Sequence, residues 1–386
     1  MRLPLALLLL PACAGTLEAR AARIHREAVV ADGHVDTLQR VLFDDADIGR
    51  RLPDGHGDLV RFREGGLDVP FLALWVDPIF AGPAAVERTL RLADAFRRVC
   101  DAFPDRIGQA RTAKEAQSLV AAGKVAAVMT IEGGHAIDDD LGILRAFHRL
   151  GVRAMTLTHT NTNGWCDSSG DAARHDGLSP FGRRVVAEMN RIGMLVDVSH
   201  VSDKAFFDAV GASTKPVIAT HSCCRALSKH PRNLTDDQLR ALAKNGGVVC
   251  ITFVASFVDE GYRKAAEAKY DPPGEEKELR EKFGSDLEGL ARASYARFRA
   301  EQPKAPRPPL ESLLDQIDHA AQVAGFDHVG LGSDFDGMTA TPKGIDDASS
   351  LPKITEGLLR RGWSEENLKK LLGGNVLRVM REAIGE

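Results

Sequence analysis

The feature that most constrains this chain is a rhythm in which a short apolar run is followed by a helical stretch, eight times over. The runs are Ala28–Ala31, Val69–Val76, Val125–Ile131, Val152–Thr158, Met194–Val198, Pro216–Ala219, Val248–Phe253 and His328–Leu331. They are continuous rather than alternating, the pattern of parallel strands covered on both faces. Helical periodicity fills the gaps, for example over Ala84–Phe103, Leu141–Leu150, Ser179–Ile192, Asp236–Lys244 and Glu311–Ala324, with stops at Gly123, Gly151 and Gly193. Eight strand–helix units over roughly 300 residues point to an α/β fold, the (β/α)8 TIM barrel. Residues 37–60 read as a long irregular loop. A charged, Pro-bounded helical insertion over 257–308 follows strand 7, and a helical tail over Ile354–Arg361 and Ser364–Ile384 closes the chain.

In a barrel of this kind the active site lies at the carboxyl ends of the strands. Those ends carry Asp32-Gly33-His34-Val35-Asp36, Glu132-Gly133-Gly134-His135, His159, Ser199-His200, Thr220-His221 and Ser333-Asp334-Phe335-Asp336. Side chains two apart on a strand project the same way, so His34 and Asp36 point together and can grip one divalent ion. Two zinc ions sharing a site need roughly five to seven N/O ligands and usually a bridging carboxylate. His34, Asp36, Glu132, His200 and His221 supply such a set. A helix cap or salt bridge is the plain alternative for Glu132, but a carboxylate closing an apolar strand is costly unless paired, which favours the metal. No Cys or Lys closes a strand, which fits a hard, water-activating site and counts against a carbamylated-lysine bridge.

Three further residues fit catalytic work. Asp334 can take a proton from the nucleophilic water and pass it to a leaving amine, with Asp336 as its rival. His159 stands apart from the metal group and can polarise a scissile carbonyl. Arg232, in the loop after the His221 strand, can clamp a carboxylate through its bidentate fork, though a loop Arg is usually just solvated. The remaining histidines read as structural or solvated.

Composition adds bounds. The chain has 386 residues, 44% hydrophobic and 27% charged, and its net charge of −4 gives no support for nucleic-acid binding. Arg2, the apolar run Leu3–Pro11 and small residues around Ala14-Gly15 describe a secretory signal peptide over residues 1–22, too short to span a membrane. Residues 23–386 are then one domain. Leu10-Pro11-Ala12-Cys13 resembles a bacterial lipobox, from which Pro11 departs, so a lipid anchor at Cys13 joins export to the periplasm or cell envelope as an expectation. No hydrophobic C-terminal segment supplies a lipid-anchor signal of that other type. Cys100, Cys166, Cys223, Cys224 and Cys250 are odd in number and show no zinc-knuckle spacing. Asn233-Leu234-Thr235 fits a glycosylation sequon.

Taken together and in order, Asp32–Asp36, Glu132-Gly133-Gly134, Leu157-Thr158-His159, Asp197-Val198-Ser199-His200, Thr220-His221-Ser222 and Gly332–Gly337 resemble the membrane (renal) dipeptidase family, a branch of the metal-dependent amidohydrolases. The resemblance covers residues 24 to 384. It implies a (β/α)8 barrel holding two Zn2+ ions, one on His34, Asp36 and Glu132, the other on Glu132, His200 and His221, with Glu132 bridging. It further implies Asp334 as proton shuttle, His159 as carbonyl-side donor, and Arg232, standing before Asn233, as the receiver of the substrate's carboxylate. The expected reaction is hydrolysis of dipeptides, L-Xaa-D-Xaa among them, by a hydroxide bridging the metals. The alternatives are hydrolysis of another small amide, such as an N-acyl-amino acid or a lactam, and, in another class, a catalytically silent exported binding protein. Expected partners are small dipeptides and, as an option, a second copy of the chain.

Overall fold

The computed structural model describes residues 16–268 and 274–386. One parallel sheet contains β1 (Val30–Val35), β2 (Leu67–Trp75), β3 (Ile107–Gln109), β4 (Val125–Glu132), β5 (Val152–Thr156), β6 (Leu195–Asp197), β7 (Ile218–Ser222), β8 (Val248–Ile251) and β9 (Val329–Leu331). Eight of these close on themselves in chain order, because β2 pairs directly with β4 and β1 with β9. The result is the expected (β/α)8 barrel. β3 lies outside it against the start of β4, Ile107 opposite Val125. Three residues are too few to register as an apolar run, so the sequence rhythm passes over it.

Burial explains the continuous runs. Every residue of β1 and of β4 is buried, since helices cover the outer face and side chains fill the interior. The helices start where capping chemistry places them. Asp58 accepts from the backbone N–H groups of Val60 and Arg61 to open Leu59–Glu64, Ser202 opens Asp203–Ala212, and Thr235 forms a capping box with Gln238 over Asp236–Lys244. At the amino ends of the strands, Val376, Val379, Met380 and Ala383 of the helix Asn375–Ile384 join Ala31, Phe71, Val128 and Ile218 in one apolar cluster. The helical tail therefore plugs the bottom of the barrel and leaves the carboxyl end open.

Three expectations change. Residues 37–60 are not uniformly irregular, because Leu38–Asp44 is a helix that buries Leu38, Val41 and Phe43. The helix Leu17–Glu27 reaches into the segment assigned to a leader, and it packs on the body through Ala21, Ile24 and His25, whose ring bonds Thr355 Oγ1 at 2.7 Å and the Gly65 carbonyl at 2.8 Å. Residues 1–15, with Cys13, lie outside the described residues. The sequon is closed in the folded chain, since Asn233 is buried and its amide donates to the carbonyls of Ser228 and Phe257, each at 2.8 Å. Cys100, Cys166, Cys223, Cys224 and Cys250 are all free thiols. Among the described residues, no helix is long and apolar enough to cross a membrane.

At the barrel mouth the strands approach more closely than side chains permit. A Cβ on Gly332 would stand 1.8 Å from the Thr220 carbonyl oxygen, and one on Gly33 would stand 2.6 Å from the same atom. Gly332→Ala is expected to cost about 1–3 kcal/mol by overpacking. Chemical denaturation checks this, and an unchanged midpoint would contradict the close approach.

Candidate metal centre

The carboxyl ends of six barrel strands bring their polar residues to one point. His34 Nε2 lies 3.3 Å from Asp36 Oδ2, as the two-residue spacing predicts, and 3.4 Å from Glu132 Oε2. The other oxygen of Glu132, Oε1, lies 2.9 Å from His200 Nε2 and 3.3 Å from His221 Nε2. Glu132 therefore turns one oxygen to the first strand's pair and the other to the imidazoles beyond β6 and in β7. Asp334 joins His34 and Asp36 in a second group, while His159 joins Glu132 and His200 in a third, the donor atoms of each group lying within 4.8 Å of one another. His34, Asp36, Glu132, His200 and His221 are buried, and Asp334 and His159 are half-buried at the rim.

A layer of hydrogen bonds holds these side chains. Asp197 accepts from the backbone N–H groups of Ser199 and Thr220 and from the Thr220 hydroxyl at 2.6 Å, and that hydroxyl lies 2.9 Å from His221 Nδ1. Ser199 Oγ accepts from the His221 backbone N–H. Asp32 Oδ1 accepts from the backbone N–H groups of His34 and Ser333, tying β1 to β9 beneath the site. His200, Asp334 and Asp336 adopt left-handed φ angles of 69°, 67° and 69°. This region is sparsely populated by residues with a Cβ, though His and Asp enter it more readily than most.

The donor set fits divalent cations. His34 Nε2 and Asp36 Oδ1 are buried without a hydrogen-bond partner, a costly state that a cation relieves. His200 Nε2 and His221 Nε2 stand 2.8 Å apart with both aimed at one carboxylate oxygen. Ligands about 2.0–2.1 Å from a tetrahedral zinc are separated by roughly 3.4 Å, close to the 3.3–3.4 Å edges between His34, Asp36 and Glu132. Burial and the Arg232 charge push His200 well below its usual pKa, and burial and the His34 charge do so for His221, which keeps both neutral with a free lone pair. Burial works against the charge on Glu132, but His34, His159 and the bonds from His200 and His221 prevail and hold it well below the carboxylate range.

Asp334 and Asp336 differ in their partners. Asp336 is saturated by donors from the chain after β1, accepting from Thr37 Oγ1 at 2.6 Å and the backbone N–H groups of His56 and Gly57 at 2.7 and 3.1 Å. Its role is to pin that segment. Asp334 instead sits beside Asp36 and His34. Its pKa is raised well above normal, because burial and the charges of Asp36 and Glu132 outweigh the attraction of His34 and Arg232. His159 does not stand apart, since its Nε2 is 4.0 Å from Glu132 Oε1, and burial lowers its pKa to about 4. Arg232 is not a solvated loop residue. It is buried, donates through Nη2 to the His221 carbonyl at 3.0 Å, and leaves Nε without a partner.

Above these groups opens a cavity of about 540 Å3 whose remaining walls sequence reasoning missed, among them Gln39, Trp75, His230, Phe257, Tyr295 and Phe298. The His230 ring packs against Phe257 with centroids 4.1 Å apart and the planes tilted by 32°. Only Trp75 closes a strand, β2, and its indole is neither a metal ligand nor an acid or base, so strand-end chemistry gives no cue to these residues.

The membrane dipeptidase (peptidase family M19) model matches residues 18–385. Dipeptidase tcpJ of Claviceps purpurea (strain 20.1) is 34% identical over 366 residues, covering 91% of this chain and 76% of that protein. Dipeptidase verJ of Clonostachys rogersoniana is 34% identical over 342 residues, covering 86% and 76%. A solved metallopeptidase from Rhodobacter sphaeroides, liganded with a phosphinate mimic of the dipeptide L-Ala-D-Ala, superposes with a TM-score of 0.77 at 29% identity, over 92% of this chain and 100% of that one.

Glu132→Gln is expected to weaken metal binding by about 100-fold or more, at or beyond the upper end of losses caused by outer hydrogen-bond partners. Metal analysis after equilibrium dialysis measures this. Chelation should lower the melting midpoint of the wild type more than that of the variant, and equal shifts would remove Glu132 from the metal shell.

Proposed function

The chain belongs to the membrane dipeptidase family and is a metal-dependent dipeptidase, and we propose that it works with two zinc ions at the barrel mouth, one on His34, Asp36 and Glu132 and one on Glu132, His200 and His221. The observation that carries this reading is the division of Glu132, with Oε2 facing His34 and Oε1 facing His200 and His221. When bound, the ions supply a water nucleophile at neutral pH and a polarised scissile carbonyl.

The chain's own residues perform the rest. Asp334 takes the proton of the attacking water and delivers it to the leaving amine. Its raised pKa suits a carboxyl that holds a proton between two transfers, and the positive ions beside it oppose that rise. His159 donates to the carbonyl oxygen as negative charge develops there. The Thr160 hydroxyl lies 3.2 Å from His159 Nδ1, and by donating to it leaves the ring proton on Nε2. Arg232 receives the α-carboxylate of the second residue through the part of its fork that the His221 carbonyl does not occupy. Burial lowers the Arg232 pKa only to about 10, so the charge persists at neutral pH. The phosphinate mimic in the Rhodobacter relative supports acceptance of a D-residue at the second position.

Asp334→Asn is expected to lower kcat by about 10²–10⁴ with metal content unchanged, and Arg232→Met to raise KM for dipeptides by about 10–100-fold while abolishing preference over dipeptide amides. Stopped assays on L-Ala-L-Ala, L-Ala-D-Ala, their amides and N-acetyl-alanine give the answer. Full turnover by Asp334→Asn removes the proton shuttle, and faster turnover of N-acetyl-alanine favours the N-acyl-amino acid reading.

The leader pattern of Arg2 and Leu3–Pro11 supports export, with cleavage before Cys13 and a lipid on that residue anchoring the enzyme to the cell envelope. Membrane fractionation of wild type and Cys13→Ala in a bacterial host is expected to shift the variant to the soluble fraction. Identical distributions discard the anchor.

A further inference from the structure

The insertion between β8 and β9 supplies one wall of the cavity. Its helix Leu287–Ala300 turns Ala291, Ser294, Tyr295 and Phe298 toward the open space. The spacing i, i+3, i+4, i+7 is one stripe of an α-helix, and no member of the stripe carries a charge. Charges elsewhere on the same helix anchor it to the barrel. Arg292 donates to the Phe43 carbonyl, Arg299 pairs with Asp44 and Asp54, and Glu288 pairs with Arg88. Tyr295 stacks on Phe43 with ring centroids 5.1 Å apart, and Phe298 stacks on Tyr295 at 6.3 Å. The stripe is thus a fixed apolar roof over a charged floor.

Its place relative to Arg232 gives it a direction. Helix Leu287–Ala300 sits over the segment that follows β1, and the charges of Asp336 and Asp36 both bear on the Tyr295 hydroxyl. Arg232 lies on the β7 side, against the His221 carbonyl, with its guanidinium 5.5 Å from the centre of the Phe257 ring. A dipeptide with its carboxylate on Arg232 and its peptide bond over Glu132 therefore carries its amino-terminal residue toward β1 and β9, beneath the roof. We propose that Ala291, Ser294, Tyr295 and Phe298 form the subsite for the amino-terminal side chain and select dipeptides in which that side chain is large and apolar. The assignment rests on the reading of Arg232 as the carboxylate receiver.

The test uses the zinc-loaded full chain and kcat/KM for Leu-Ala, Phe-Ala, Gly-Ala, Ala-Leu and Ala-Gly. Leu-Ala and Phe-Ala are expected to exceed Gly-Ala by about 30-fold, within the 10–200-fold that apolar pockets provide, while Ala-Leu and Ala-Gly differ by less than about threefold. Phe298→Ala, which opens the roof, and Ser294→Trp, which fills the space beneath it, should each lower the Leu-Ala to Gly-Ala ratio by about tenfold. Circular dichroism and metal content confirm that both variants are folded. A wild-type ratio near one, or variants that slow Leu-Ala and Gly-Ala by the same factor, overturns the subsite. A larger ratio at the second position than at the first overturns its assignment to the amino-terminal residue. Turnover of none of the five overturns the dipeptidase reading beneath the proposal, and the proposal with it.

Discussion

A single buried carboxylate organises this molecule. Glu132 ends the fully buried strand β4 and faces His34 on one oxygen and His200 and His221 on the other. Without compensation, such a charge in the mouth of an apolar barrel is expensive. Compensation by imidazoles drawn from β1, β7 and the turn after β6 requires those strands to converge, and convergence requires the barrel to close. The close approach of Gly33 and Gly332 to the Thr220 carbonyl, next to His221, belongs to the same constraint. So does the Asp197–Thr220 pair, whose hydroxyl meets the ring of His221 from behind.

Around that centre the chain separates scaffold from selectivity. The strands and the helix that plugs the bottom of the barrel are built for burial. The segments above the carboxyl ends carry the variable surfaces. Residues after β1 are pinned by Asp336, and the helix Leu287–Ala300 is pinned in turn on those residues. The cavity wall thus hangs from the barrel by a chain of ion pairs and ring stacks. Such a wall can change its lining without disturbing the candidate metal centre, because none of that centre's residues is anchored in it.

Much of this was legible in the chain itself. Continuous apolar runs and capping residues mark the eight barrel strands and most helices because burial and hydrogen-bonding demands act on neighbours in sequence. The cluster of residues that could hold a metal was legible for a similar reason. In a parallel barrel every strand delivers its carboxyl end to one rim, so the residue types at those ends suffice. The helix Leu38–Asp44 and the three-residue β3 were not legible, being short elements whose stability comes from what they pack against. The roof residues Tyr295 and Phe298 escaped for a stronger reason. They lie on an insertion whose helical stripe is recognisable only when the cavity that it faces is known.

By itself, then, the sequence determined the barrel and set on its carboxyl rim a cluster of residues that could hold a metal. Tertiary structure alone decided how those residues are shared. It divided the two oxygens of Glu132, brought His159 within 4.0 Å of that carboxylate, buried Arg232 and saturated Asp336 while leaving Asp334 beside Asp36. Each of these outcomes depends on distances between segments far apart in the chain and on left-handed turns at His200, Asp334 and Asp336. Local periodicity carries no information about such distances. They are set when the barrel closes and its loops find their partners.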